Sequence, residues 1–229
     1  MILVLNLKTN LYKEGILKYE HMIHDKEVII LPQYPYLLLF RNGKYQLGSQ
    51  DVSKFKEGSY TGEVCAEALR HIGCKYAMIG HPERKEHFNE DVKDFRMKIQ
   101  NTLDNDMIPI YNVSETLEEY NTDNELKNIE LQLEAIPDYV NYIMVSYEPS
   151  WLMGEKDAQI DYEHVNKVLM KIKEWLMERN INHSILYGGG INTSNIDELK
   201  ELKIIDGILM CTSALDEETF NYIYNKVKE

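Results

Sequence analysis

The sequence predicts an α/β fold, a closed (β/α)8 barrel formed by a single domain over residues 1–229. Short β-type runs alternate with amphipathic helical stretches from end to end, the pattern of repeated strand–helix units. Eight such units can be counted, and no Pro-, Gly- or Ser-rich linker parts them. That number favours closure over an open doubly wound sheet.

Strands are expected at Ile2–Asn6, Val28–Leu31, Tyr45–Gly48, Tyr76–Ile79, Ile108–Val113, Tyr142–Tyr147, Ser184–Tyr187 and Gly207–Met210. Most are short apolar runs bounded by polar or turn-forming residues. Helical spacing of apolar side chains marks Asp91–Asp104, Glu125–Ile136, Tyr162–Arg179 and Ser194–Leu202, with Asp91, Thr122 and Asp161 as N-cap candidates. The early strands lie so close together that the first two helices must be short, and Tyr34–Arg41 is left to serve as the second.

Composition narrows the function. A chain of 229 residues with 44% hydrophobic content can bury a full core. Its formal net charge of −13, with no lysine or arginine cluster, excludes a nucleic-acid partner, which needs a basic face. A small anion stays compatible, because oriented N–H groups and one lysine can hold a phosphate. No apolar run approaches the ~18 residues of a membrane span. Met1–Leu5 lacks the flanks of a signal peptide, so none is expected. Cys65, Cys74 and Cys211 are odd in number and scattered, the pattern of reduced cytosolic thiols, which predicts a cytoplasmic protein. The histidines form no His-Glu-x-x-His motif and the cysteines no Cys-x-x-Cys, so no metal is expected.

Chemistry-bearing residues gather where strands hand over to loops. Ile79-Gly80-His81-Pro82-Glu83-Arg84, Tyr147-Glu148-Pro149-Ser150-Trp151 and Tyr187-Gly188-Gly189-Gly190 each follow an apolar run. In a barrel those ends share one rim, where a histidine, a carboxylate and bare backbone can meet over one small substrate. A histidine at a strand tip is often only structural. A helix starting just after His81 would keep its ring neutral and able to donate to a carbonyl. Glu148 is placed to be a base, and the short apolar loop with Trp151, between Pro149 and Gly154, could close over it. The glycine run lets N–H groups approach an anion, and Lys8, two residues past Asn6, could steady an oxyanion or a phosphate.

In their order and spacing these runs resemble the triosephosphate isomerase family over nearly the whole chain. Asn6-Leu7-Lys8 is similar to the family's Asn-x-Lys, and Gly58–Glu63 to its interdigitating dimer loop, with Gln50 as the buried glutamine before it. Ile79-Gly80-His81 with Glu83-Arg84 resembles the electrophile motif, and Ser114-Glu115-Thr116-Leu117 the segment after the fifth strand. Tyr147-Glu148-Pro149 with Trp151 resembles the base and lid, and Tyr187-Gly188-Gly189 with Asn192 and Asn195-Ile196 the seventh loop.

The resemblance implies a TIM barrel that interconverts dihydroxyacetone phosphate and glyceraldehyde 3-phosphate through an enediol(ate), without cofactor and as a homodimer. Glu148 would be the base and neutral His81 the electrophile, helped by Asn6 and Lys8, with Glu83 pairing with Lys8. Gly154, Gly189, Gly190, Cys211 and Thr212 would hold the phosphate, and Thr61 of the dimer loop would buttress the neighbouring site. Several residues depart from the family's pattern. Pro82 stands in place of a serine, Asn112 in place of a cysteine, and Cys211-Thr212 in place of Gly-Gly. The lid reads Gly154-Glu155-Lys156, one residue short and without its second glycine, and Gly190 replaces the serine that latches that glycine. Two alternatives remain beside the triose reaction: isomerisation of another small sugar phosphate, such as a four-carbon ketose phosphate, or a barrel kept as a binding protein.

Overall fold

The computed structural model describes residues 1–10, 15, 18–19, 23, 25–122, 124–153 and 159–229. Eight parallel strands close into a barrel in chain order. They are β1 (Ile2–Asn6), β2 (Val28–Leu31), β3 (Gln46–Ser49), β4 (Tyr76–Ile79), β5 (Ile108–Val113), β6 (Tyr142–Tyr147), β7 (Asn182–Gly188) and β8 (Gly207–Met210), and β8 pairs back onto β1. Between or after them run the helices Ala66–Ile72, Pro82–Phe88, Val92–Leu103, Leu117–Asn121, Glu125–Leu133, Tyr162–Glu178, Ile196–Lys200 and Glu217–Lys228. Among the described residues no helix is long and apolar enough to cross a membrane.

The expected strands are present, and two of them differ at both ends: β3 runs on to Ser49 and β7 to Gly188. β3 starts at Gln46 because Tyr45 turns its ring onto Phe40, centroids 5.8 Å apart. β7 begins earlier, at Asn182, where it pairs with Tyr142 at the start of β6. Tyr34–Phe40 is a 3-10 helix with Pro35 in its first turn. Asp91 and Asp161 cap as expected, accepting from the N–H groups of Lys93 and Asp94 and of His164. Thr122 is not an N-cap. Thr116 and Glu119 form a reciprocal capping box that starts a short helix, and Thr122 closes that helix at its C-terminal end, leaving Asn124 to precede the next.

The two-residue period of a strand decides what fills the barrel. Leu3, Leu5, Val28, Ile30, Ile143 and Val145 face the helices, packing with side chains such as Phe95 and Ile172. Val4, Ile29, Leu31, Met78, Ile110, Met144, Leu186 and Leu209 point inward and plug the interior. One step further along, the inward residues change character: Asn6 follows Val4, Asn112 follows Ile110, Ser146 follows Met144, Gly188 follows Leu186 and Cys211 follows Leu209. The apolar plug is thus the floor under a polar layer at the C-terminal rim.

Closure of β8 on β1 sets the register of that layer, and Gly207 makes it sterically possible. A Cβ at Gly207 would lie 2.3 Å from the Ile2 carbonyl oxygen, an atom of the paired backbone that cannot swing aside. Gly207→Ala is therefore expected to destabilise the fold by roughly 1–3 kcal/mol, read as a lower urea midpoint at unchanged slope. An unchanged midpoint would show that the seam yields.

Candidate active site at the C-terminal rim

Glu148 reaches the site by strand phase. β6 ends at Tyr147, yet the Glu148 N–H still donates to the Val113 carbonyl at 3.0 Å, so the residue keeps the inward direction of Met144 and Ser146. Its side chain is 1% exposed. Gly188 on β7 makes the room, since a Cβ there would stand 2.5 Å from Glu148 Cγ. The carboxylate accepts from Asn112 Nδ2 at 2.5 Å through Oε1, and its Oε2 lies 4.0 Å from His81 Nε2. Burial raises its pKa from 4.5 to about 7; Lys8 and Lys85 oppose the rise and Glu83 adds to it.

The chain leaving Glu148 is pinned from below. Ser150 donates both its N–H (3.0 Å) and its hydroxyl (2.8 Å) to the Glu115 carbonyl. The buried Glu115 carboxylate accepts the Tyr147 hydroxyl at 2.6 Å and lies 3.1 Å from His164 Nε2. Burial raises the Glu115 pKa despite those bonds. Lys85 donates to Ser114 Oγ at 2.9 Å and to the Asn112 carbonyl at 3.4 Å, and desolvation pulls its ammonium down to about 7.

His81 caps the helix Pro82–Phe88, and Pro82 suits a first helical position, where an N–H would go unpaired. Nδ1 accepts from the Glu83 N–H at 3.3 Å, which puts the ring proton on Nε2. Nε2 is buried and has no hydrogen-bond partner among the described residues. Burial, with the charge of Lys8 adding to it, drops the pKa from 6.5 to about 3, against the pull of Glu83. The helix N-terminus pushes the same way. The imidazole is neutral throughout the physiological range.

Lys8 sits in the left-handed region at φ 48°, a conformation that needs support in a residue other than glycine. Its N–H donates to Asn6 Oδ1 at 3.1 Å, and Gln50 Nε2 donates to the Lys8 and Leu31 carbonyls, each at 2.9 Å. Gln50 does this half-buried rather than fully enclosed as the resemblance implied. Lys8 Nζ meets Glu83 Oε1 at 2.5 Å. Burial works against the Lys8 charge, but the Cys211 sulfur and the Glu83 and Glu148 carboxylates outweigh it and the pKa is raised.

A cavity of about 440 Å³ opens above this layer, lined by Lys8, Glu148, Gly189, Gly190, Cys211 and Thr212. Lys8 also lines a neighbouring cavity that holds Asn6, Gln50, His81 and Glu83. Gly189 and Gly190 both take positive φ, 99° and 63°. Of the residues singled out in the sequence, Asn6, Lys8, His81, Glu83, Glu148, Gly189, Gly190, Cys211 and Thr212 come together here. Thr61 does not; it lies on an exposed loop and lines neither cavity. Gly154, with Glu155 and Lys156, lies outside the described residues. Sequence reasoning gave no task to Asn112, Lys85 or Glu115. The inward phase of Ile108, Ile110 and Asn112 was the available signal for Asn112; a half-buried lysine and a buried glutamate leave none.

A buried carboxylate with a raised pKa, a neutral imidazole N–H and a cation around one cleft can take a proton from carbon beside a carbonyl while polarising that carbonyl. The fold and the site together define a (β/α)8 enzyme of proton transfer. The family model described as "Triosephosphate isomerase" matches residues 1–227. A triosephosphate isomerase of Ureaplasma parvum serovar 3 is 34% identical, covering 99% of both chains. That of Mesomycoplasma hyopneumoniae strain 232 is 34% identical over 93% of this chain and 87% of its own, and that of Buchnera aphidicola 30% identical over 87% and 84%. The chain belongs to the triosephosphate isomerase family and is an isomerase of the intramolecular oxidoreductase class.

Infrared titration of the Glu148 carboxyl should give a midpoint of about 7. Asn112→Ala removes the donor that favours the charged form, and the midpoint should rise by roughly one pH unit. A midpoint near 4.5 in the unaltered protein would contradict the burial argument.

Proposed function

We propose that this chain interconverts dihydroxyacetone phosphate and D-glyceraldehyde 3-phosphate through an enediol(ate), with no cofactor. The observation that carries the proposal is the buried Glu148 carboxylate set 4.0 Å from the neutral Nε2–H of His81, with Lys8 beside both. A carboxylate base paired with a neutral histidine is the long-known pattern of this family, and these distances support the same assignment here. The family match and the relatives' names favour the triose reaction over both alternatives that the sequence left open.

Glu148 takes a proton from the carbon next to the carbonyl. His81 donates from Nε2 to the carbonyl oxygen, and the electron pair of the broken C–H bond becomes the enediol double bond. The imidazolate then takes the proton of the neighbouring hydroxyl, whose oxygen becomes the new carbonyl, while Glu148 returns its proton to the former carbonyl carbon, so both residues are restored and no oxidant or reductant is consumed. Lys8 and Asn6 stabilise the developing oxyanion, and Glu83 fixes the ammonium. Gly189, Gly190, Cys211 and Thr212 offer the phosphate their N–H groups and the Thr212 hydroxyl, and the family resemblance assigns Gly154 to the same group. The Cβ atoms of Cys211 and Thr212 stand the phosphate further off than two glycines would.

The working unit is a homodimer of single-domain barrels, each formed by residues 1–229, in the cytoplasm. The loop that carries Thr61 projects Tyr60, 44% exposed and stacked on Phe55 at 4.0 Å, as a surface for the partner to cover. Thr61 then supports the partner's site.

A coupled assay of glyceraldehyde 3-phosphate turnover tests the assignment. Glu148→Asp and His81→Gln should each lower kcat by about 10²–10⁴-fold. In the unaltered protein kcat/KM should fall tenfold per pH unit below about 7, as Glu148 takes up its proton. The slope should steepen below about pH 6, where the phosphate ester protonates. Absence of turnover in a folded dimer would overturn the proposal.

A further inference from the structure

Proton transfer leaves the thiol of Cys211, in the polar layer, without a task. It follows Leu209 inward and lines the cleft beside Lys8 and Glu148. A ring nitrogen of His81, a Glu148 carboxylate oxygen and Cys211 Sγ all lie within 4.8 Å of one another, and it is Nε2 that stands 4.0 Å from Glu148 Oε2. Nitrogen, oxygen and sulfur so placed match a borderline-soft divalent cation, whose bonds of about 2.0–2.3 Å need donors about 3.3–3.8 Å apart. His81 is 3% and Glu148 1% exposed, and Nε2 is buried without a hydrogen-bond partner among the described residues. Binding would have to draw the three donors together by about an ångström.

We infer that His81, Glu148 and Cys211 form an inhibitory site for a thiophilic divalent cation such as Zn²⁺, in the part of the cleft where the substrate's reacting carbons would lie. Coordination uses the Nε2 lone pair, so the ring proton moves to Nδ1. Glu83 Oε2, 3.6 Å from Nδ1, accepts it there, giving the carboxylate–histidine–metal relay that holds such ligands. The long 3.3 Å bond from the Glu83 N–H is what is given up. Cys211 binds as thiolate and releases its proton to solvent, while Glu148 binds ionised. The two ligand charges balance the cation, and the nearby Lys8 charge is met by Glu83 at 2.5 Å. Three protein ligands leave a fourth position for water.

Cation binding stands apart from the isomerase reading; only the inhibition rests on it. Co²⁺ is the probe, titrated into the full chain near pH 8. A thiolate-to-cobalt charge-transfer band in the near ultraviolet should saturate at about one cation per chain, with about one proton released. Phosphoglycolate should displace the ion, and Glu83→Gln should weaken it about tenfold. Cys211→Ser, its fold checked by circular dichroism, should lose the band and should need at least about tenfold more Zn²⁺ for inhibition, which EDTA reverses. No band, or an equal band in Cys211→Ser from Cys65 or Cys74, would overturn the site; a band that phosphoglycolate leaves unchanged would overturn its place in the cleft. A Cys211-dependent band in a protein without triose turnover would keep the cation site and remove the inhibition.

Discussion

One constraint governs the site: a carboxylate and an imidazole lie 4.0 Å apart, both almost wholly buried at the rim of the barrel. In water the imidazole is the stronger base of the two. Burial disfavours both charged forms, and here it reverses the order, with Glu148 raised to about 7 and His81 lowered to about 3. A proton leaving carbon therefore goes to Glu148, and His81 is left as a donor, in keeping with the known pattern of the family. The reversal has a thermodynamic consequence. Because the folded pKa of Glu148 lies above its unfolded value, its contribution to stability is full below about 4.5 and is lost as pH rises through about 7.

The rest of the barrel serves that pocket. The apolar plug of Val4, Ile110, Met144, Leu186 and Leu209 closes it from below. Gly188 leaves the volume that the Glu148 side chain fills. Two departures from the family's pattern meet at this point. Pro82 removes a hydroxyl and an N–H beside the histidine, while Asn112, standing in place of a cysteine, donates to Glu148. The Asn112 bond tunes the base, because a bond to the charged form favours ionisation against burial.

The barrel was legible because strand and helix periods alternate cleanly from Ile2 to Lys228, and because Asp91 and Asp161 announce their helices through side-chain oxygens. Thr122 misled because propensity does not distinguish a cap at the start of one helix from the end of another; the Thr116–Glu119 capping box decided it. His81, Glu148 and Lys8 were legible as strand-end residues and through the ordered motifs around them. The convergence of Cys211 with His81 and Glu148 was not, since three residues from β4, β6 and β8 have no common spacing and meet only on closure. Lys85 and Glu115 were hidden for a related reason. Burial of a charge is a property of the packed rim, and no local pattern encodes it.

The most direct test of the reversed basicity is ¹⁵N NMR of the His81 imidazole, followed from about pH 5 to about pH 9 and assigned with His81→Gln. A neutral ring with its proton on Nε2 and no titration across that range is expected, consistent with a pKa of about 3. Titration near the ordinary 6.5, or a proton resident on Nδ1 in the free protein, would contradict it.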